Sequence, residues 1–299
     1  MFFNYRLGAR PCQGARAGVT CGTVKEAGVR PLGEYSVAIV VDPREAEPAV
    51  VSSVYTDLLY DGDELEALVP LDERWYSQTP SPGWTVGRQV AHMTDIAAMA
   101  RSAAAPGPVA DANGAPRRAL ELVEGPERTL RRWRIEREGA ARALGAADQD
   151  RDLNWMRGTA RPSLIGAALA MEMFGHGQDI VDALGERRTP TDRIGHVVWF
   201  GVRTRDFGYR AHGFEPPETP FRFEITAPSG VVWAFGSEDA EQRVTGSAVD
   251  FCLLVTCRRH RDDVDVKAVG READRWLGIA QSYPGPAGAG RGPGQFGRR

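Results

Sequence analysis

Glu172 and His176 stand four residues apart in MEMFGHGQDIVDALG, residues 171–185. Four residues are just over one helical turn, so in a helix the two side chains stack on one side of the rod. Ile165, Leu169, Glu172, His176, Ile180 and Ala183 then form a single face, apolar except for this pair. A carboxylate left unpaired on an inward face costs several kcal/mol, roughly, so the position calls for a partner. A divalent cation is one such partner, and two histidines with one glutamate are a known zinc set that leaves positions open for chemistry. The missing imidazole must come from another element, and His92, beside the stripe Val86, Val90, Met93 and Ala97, fits that role. The plainer reading is an exposed Glu–His side-chain pair with no metal. Gly175 and Gly177 flank His176 and each costs roughly 1 kcal/mol inside a helix, which points to a close approach on the backbone there. Asp95 and Asp179 follow the two histidines by three residues, as acceptors behind the ligands or as solvated charges.

Three side chains from separate segments need rods to hold them, and the chain supplies four. Val54, Leu58, Leu65 and Leu68 give a first helix its stripe. Thr85 is the expected N-cap of the second, which carries His92. Leu130, Trp133, Ile135 and Leu144 are the apolar contribution of a long charged third, and the fourth runs from near Ser163 to a glycine stop at Gly185. Four such helices joined by loops predict a bundle over residues 51–187. Residues 188–283 change in texture. GHVVWFGVRTRDFGYRAHG reads as helical, EPPETP as a hinge, and FRFEITAPSGVVWAFG as two strands around a turn at Pro228, Ser229 and Gly230. VTGSAVDFCLLVTCRRH and READRWLGIAQSY read as helices. The expected class is therefore α+β, a four-helix bundle followed by a small α+β domain. Residues 1–50 lack periodicity and are expected to be a disordered extension, translated from upstream of the usual start. The low-complexity tail 284–299 is expected to be disordered as well.

Composition removes several classes of function. A formal charge of −3 and 42% hydrophobic content in 299 residues describe a soluble chain without the clustered basic excess that nucleic acid requires. No apolar run is long enough for a membrane span, and the N-terminus lacks a signal-peptide core. Four cysteines, unevenly placed, are too few for a disulfide framework and favour a reducing, cytoplasmic setting. Arg203, Arg205 and Arg210 offer an anion anchor for a cosubstrate at a cleft between the domains; a solvated helix face is the plainer alternative. Cys252, Cys257 and His260 have a superficially metal-like spacing, but Cys252 lies in an apolar run where cysteine is usually core. His196 and His212 read as satisfied boundary residues, and Trp84 and Trp199 as packing.

A histidine in the second helix followed by Glu-x-x-x-His in the fourth resembles the DinB-like metal-binding fold, and in particular the N-terminal domain of the mycothiol-dependent maleylpyruvate isomerases. PSPGWTVGRQVAHMTDIAAMA, MEMFGHGQDIVDALG, GVRTRDFGYRAHG and VTGSAVDFCLLVTCRRHRDDVDVKA resemble an actinobacterial subgroup whose C-terminal part carries a wyosine base formation domain. The resemblance implies that His92, Glu172 and His176 hold a divalent ion, most often zinc, and that mycothiol or another low-molecular-weight thiol is a cosubstrate. The implied activity is metal-dependent thiol transfer to, or isomerisation of, a small electrophile. A non-catalytic protein binding a metal and a small ligand is the alternative.

Overall fold

The computed structural model describes residues 53–105, 125–156 and 158–296; residues 1–52, including Cys12 and Cys21, lie outside it, so the reading of 1–50 has no counterpart below. Helix α1 spans Val54–Glu66, α2 Val86–Ala104, α3 Pro126–Ala146 and α4 Pro162–Leu184. Several ends have a local cause. The Thr85 hydroxyl accepts a hydrogen bond from the Arg88 amide at 3.2 Å and so begins α2. Prolines at the first position open α3 and α4, where the missing N–H costs nothing. Gly185, at φ 68°, closes α4 in the left-handed region.

α2 packs on α3 and α4, and α1 bridges α3 and α4. Val54, Leu58 and Leu65 are buried as their spacing predicts, while Leu68 lies beyond the end of α1. The expected stripe on α3 needs one correction. Leu130, Trp133 and Leu144 are buried, but Ile135 is 52% exposed, because two residues after Trp133 is about 200° around the rod. Between α3 and α4 a short hairpin, β1 (Leu153–Trp155) with β2 (Gly158–Ala160), buries Leu153 and Trp155 against the bundle.

The second half has the α+β texture expected. α5 (Gly195–Arg203) and α6 (Asp206–Ala211) share the segment read as one helix, broken at Thr204. Strands β3 (Phe221–Thr226) and β4 (Val232–Phe235) form the predicted hairpin. VTGSAVDFCLLV departs from its helical reading: Gln242–Ser247 is strand β5, and only Ala248–Val255 is helix, α7. β6 (Val266–Val269) and α8 (Arg271–Leu277) follow, giving a sheet of order β4-β3-β5-β6 in which β3 and β5 are parallel and the other pairs antiparallel. Phe223, on β3, meets Phe251 of α7 and Trp276 of α8 edge to face at 6.0 and 5.4 Å, a geometry that adds to area burial.

The two halves meet along α4. α5 packs against it, and the turn after α7 delivers two arginines to its polar side. That turn has Cys257 at φ 58°, a left-handed conformation unusual for a non-glycine residue. Arg258 then pairs with Asp179 at 2.9 Å, and Arg259 with Asp182 at 2.7 Å. Among the described residues the tail 284–296 forms no helix or strand, yet it does not hang free. Arg291 makes an ion pair with Asp179 at 2.5 Å, and Phe296 lies beneath the Arg259 guanidinium at 4.3 Å. Charge pairing and ring contact thus hold a segment that its composition alone would leave loose.

Candidate metal centre

α2 and α4 carry the three side chains to one point. His92 Nε2 lies 3.4 Å and His176 Nε2 3.0 Å from the same oxygen, Oε2 of Glu172, and the two imidazole centroids are 4.4 Å apart. One ligand atom from each residue lies within 4.8 Å of the others, and this is the group of at least three such donors that the described residues bring together. His176 is buried, and the Glu172 side chain, 16% exposed, faces the opening. Trp84 walls the histidines, its ring stacked on His176 at 5.6 Å and edge-on to His92 at 5.3 Å. Arg88 in turn covers Trp84 at 4.8 Å. Trp84 is packing, as its sequence reading had it, but packing against the site.

Behind His176 the donors and acceptors leave one consistent arrangement. Asp179, fully buried, can only accept; its Oδ2 takes hydrogen bonds from Ser81 at 2.8 Å, Arg258 at 2.9 Å and Gln89 Nε2 at 3.3 Å. The Thr79 hydroxyl donates to the Trp84 carbonyl at 2.8 Å and accepts from Gln89 Nε2 at 2.8 Å. Both contacts orient the Gln89 amide so that its Oε1 faces His176 Nδ1, 2.5 Å away. Nδ1 must therefore carry the proton. The second nitrogen, Nε2, is left with a lone pair aimed at Glu172 Oε2.

The charges agree with that assignment. Burial, then the nearby His92, pushes His176 down to about 4, so its ring is neutral at neutral pH and has one proton, on Nδ1. Burial pushes the Glu172 carboxyl up, but hydrogen bonds with His176 and His92 outweigh it and hold the group well below the usual range. That relief needs a proton or positive charge at the carboxylate oxygen, which the Nε2 lone pair of His176 does not itself supply. Asp179 is likewise raised by burial and lowered by more, chiefly by Arg258. The result is an ionised carboxylate oxygen and a neutral ring lone pair 3.0 Å apart, which repel unless a proton or a cation lies between.

The opening beside Glu172 is a narrow cleft of about 20 Å³, partly continuous with solvent, lined by Met171, Glu172, Gly175, His176, Arg258 and Tyr283. Gly175 lies beneath the Arg258 guanidinium, which a β-carbon would meet at 3.2 Å, and Gly177 beneath Leu65, which it would meet at 2.9 Å. The close approach expected at these glycines is therefore present at both. The Nε atoms of Arg258 and Trp84 are buried without a hydrogen-bond partner among the described residues.

The other expected residues fall elsewhere. Arg205 pairs with Asp206 at 2.7 Å and covers Phe221 at 4.6 Å, and Arg203 covers Trp199 at 5.5 Å. Neither lines the cleft, where the guanidinium is that of Arg258. Asp95 faces Arg132 at 3.7 Å rather than His92. His196 is a core residue paired with Asp57 at 3.0 Å, and Cys252 is buried within α7. Gln89, Arg258 and Tyr283 were not singled out in the sequence. For Gln89 a signal existed, since it precedes His92 by three residues and shares its helix face.

A bundle presenting two imidazoles and a carboxylate to a cleft shared with an α+β module defines a class of candidate metalloprotein. Residues 61–181 match the family model described as the mycothiol maleylpyruvate isomerase N-terminal domain, and residues 217–269 the one described as wyosine base formation. Two uncharacterized proteins of Mycobacterium tuberculosis, from strains CDC 1551 / Oshkosh and ATCC 25618 / H37Rv, are 41% identical over 252 residues, 79% of this chain and 96% of each of theirs. The chain belongs to the mycothiol maleylpyruvate isomerase-like family, in the form that carries a wyosine base formation module. Crystal structures of a mycothiol-dependent maleylpyruvate isomerase and of its histidine-to-alanine mutant align with a TM-score of 0.46 at 15% identity, over 72% of this chain and 91% of theirs.

Proposed function

We propose that His92, Glu172 and His176 hold a divalent cation, zinc by the chemistry of the donor set, and that the chain is a thiol-dependent transferase or isomerase acting on a small electrophile. The observation that carries this reading is the convergence of His92 Nε2 and His176 Nε2 on one oxygen of Glu172, with His176 Nδ1 turned away onto Gln89 Oε1. Two nitrogens and one carboxylate oxygen suit a borderline divalent ion better than the all-oxygen shells of calcium or magnesium. A cation held by three protein ligands supplies Lewis acidity at its remaining positions and lowers the pKa of a thiol offered there.

The chain's own residues account for the rest. Gln89 holds the ring of His176, Trp84 excludes water from one side of both imidazoles, and Arg258 with Tyr283 forms the wall that an anionic electrophile would meet. Family membership supports mycothiol as the thiol. A cytoplasmic location fits a thiol-using protein whose Cys252 and Cys257 are free; no helix of the described residues is long and apolar enough to cross a membrane. The alternative, a non-catalytic protein binding a metal and a small ligand, calls for a closed four-ligand site, and three donors converge here.

Metal analysis of the purified protein beside His92→Ala and His176→Ala tests the centre. Near-stoichiometric metal in wild type and its loss in both variants is expected; retention in either removes that residue from the ligand set. For the thiol reading, mycothiol is incubated with a panel of small electrophiles and consumption of both is followed. Consumption in wild type but not in His176→Ala is expected, and none across the panel would leave the non-catalytic reading standing.

A further inference from the structure

We propose that the tail following Tyr283 is a working part of the metal centre, with Arg291 a positioning residue that acts on His176 through Asp179 and Gln89. The proposal rests on the metal-binding reading above and assigns a role to a segment rich in glycine and proline. Ordering such a segment is entropically costly, and more so for glycine than for any other residue. It is nevertheless tied down along its length. Gln281 donates to the Gly285 carbonyl at 3.0 Å, the Gly294 amide donates to Asp263 at 2.8 Å, and Phe296 lies under Arg259. Between these ties Arg291, its side chain 9% exposed, reaches into the bundle and donates to Asp179 Oδ1 at 2.5 Å.

The two oxygens of Asp179 are served differently. Oδ2 receives Ser81, Gln89 and Arg258, whereas the donor to Oδ1 among the described residues is Arg291. Without that guanidinium, Oδ1 becomes a fully buried anionic oxygen with no donor, and the carboxylate turns to share the donors now on Oδ2. Gln89 Nε2, already the longest of those contacts at 3.3 Å, is the one most easily lost. An amide freed on that side can turn over and offer its NH2 to His176 Nδ1. The ring proton then moves to Nε2, the nitrogen needed for the cation. Thr79 still favours the original orientation of the amide, so the effect is partial. Residues that orient metal-ligating histidines typically change affinity by about 10- to 100-fold, and the low end of that range is expected for Arg291.

Full-length wild type, Arg291→Ala, Arg291→Lys and, as a ligand control, His176→Ala are titrated with Co2+ and followed by visible absorption. Imidazole nitrogen NMR of the metal-free proteins reports the tautomer of His176 separately. Expected are about tenfold weaker Co2+ binding in Arg291→Ala, recovery to within about threefold in Arg291→Lys, and an Nδ1–H tautomer in wild type that becomes mixed in Arg291→Ala. Equal binding, an unchanged spectrum and an unchanged tautomer in Arg291→Ala would overturn the role of the tail while leaving the centre intact. If wild type itself binds no Co2+, the metal reading fails, and the tautomer comparison alone decides whether Arg291 positions His176. Should Arg291→Ala not fold, Arg291→Gln replaces it, with at least about threefold weaker binding and a mixed tautomer expected, and wild-type values in both overturning the proposal.

Discussion

In the proposed centre the chemistry turns on where one proton sits on His176, and none of the three candidate ligands determines that. Gln89 does, because its amide is oriented by Thr79 and Asp179 before it meets the ring. Gln89→Leu keeps the size and the helix but removes the acceptor for Nδ1–H. Metal affinity should fall by about 10- to 100-fold with little loss of folded protein, measured by competition with a chromophoric chelator. An affinity within twofold of wild type would show that the ring is held by other means. That Glu172 and His176 share a face was legible in the sequence because spacing of four on an apolar helix face is a local property, and His92 was reached as the histidine of the facing helix. Arg258 and Tyr283 were not, since they enter the cleft only through the turn after α7 and the start of the tail, and no periodicity encodes that return. Asp95 offers a separate test. Burial pushes its carboxyl from 3.8 up to about 6, against the opposing charge of Arg132. The folded state therefore binds this proton more tightly than the unfolded chain, so the contribution to stability is full below about pH 4 and is lost as pH rises through about 6. Asp95→Asn, neutral throughout, should gain stability relative to wild type between pH 4 and 7 and no more above that. Urea midpoints at pH 4.5, 6 and 7.5 measure it, and a gap that stays constant over the three refutes the assignment.

Between elements, close approach decides how α2 sits on the short helical turn Glu73–Tyr76 that precedes it. Gly87, one turn before His92's own turn on α2, lies against the indole of Trp75, and a β-carbon there would come within 2.2 Å of the ring nitrogen. Trp75 is fully buried and cannot swing aside. Gly87→Ala gains roughly 1 kcal/mol of helix propensity. Overpacking against a rigid ring costs about 1–3 kcal/mol, so the clash should match or exceed the gain, with a lowered thermal midpoint as the readout. A rise in midpoint would mean that α2 shifts freely. The same scale explains what the sequence concealed. Helices α1, α2 and α4 follow from their stripes, whereas the end of β5 falls inside a helical reading that begins at Val244, and the inward position before it holds a glutamine. Gln242 is buried as part of the alternation, and its side chain accepts hydrogen bonds from the Glu272 and Ala273 amides at 2.9 and 3.1 Å, starting α8. A polar residue doing the work of a helix cap erases the period-two signal that would have marked the strand. β6, four residues long and at the sheet edge, alternates too briefly to announce itself.

Across the whole molecule the site belongs to neither half. The bundle supplies the candidate ligands, the α+β part supplies Arg258 and the tail supplies Arg291, all converging on carboxylates of α4. The second tie, Arg259 to Asp182, is made by two guanidinium nitrogens at 2.7 and 2.8 Å, with both side chains 3% exposed. Such a pair adds little over a well-packed apolar contact, because both charges were removed from water to form it. Losing one partner is different, since the remaining charge stays buried. Arg259→Leu removes the two-nitrogen partner of Asp182, which keeps the Gln178 amide at 2.8 Å among its donors, and removes the cation over Phe296 as well. A loss of about 3–5 kcal/mol is expected, which is a large part of the stability of an ordinary domain. Wild type should unfold in one transition by far-ultraviolet circular dichroism and by tryptophan fluorescence, because the halves share this buried seam. The double change Arg259→Leu with Asp182→Leu, which removes both charges, should recover most of the loss. If the double variant is as unstable as Arg259→Leu alone, the seam is held by shape and not by charge, and the coupling of the cleft to the bundle must be sought in the packing of α5 on α4.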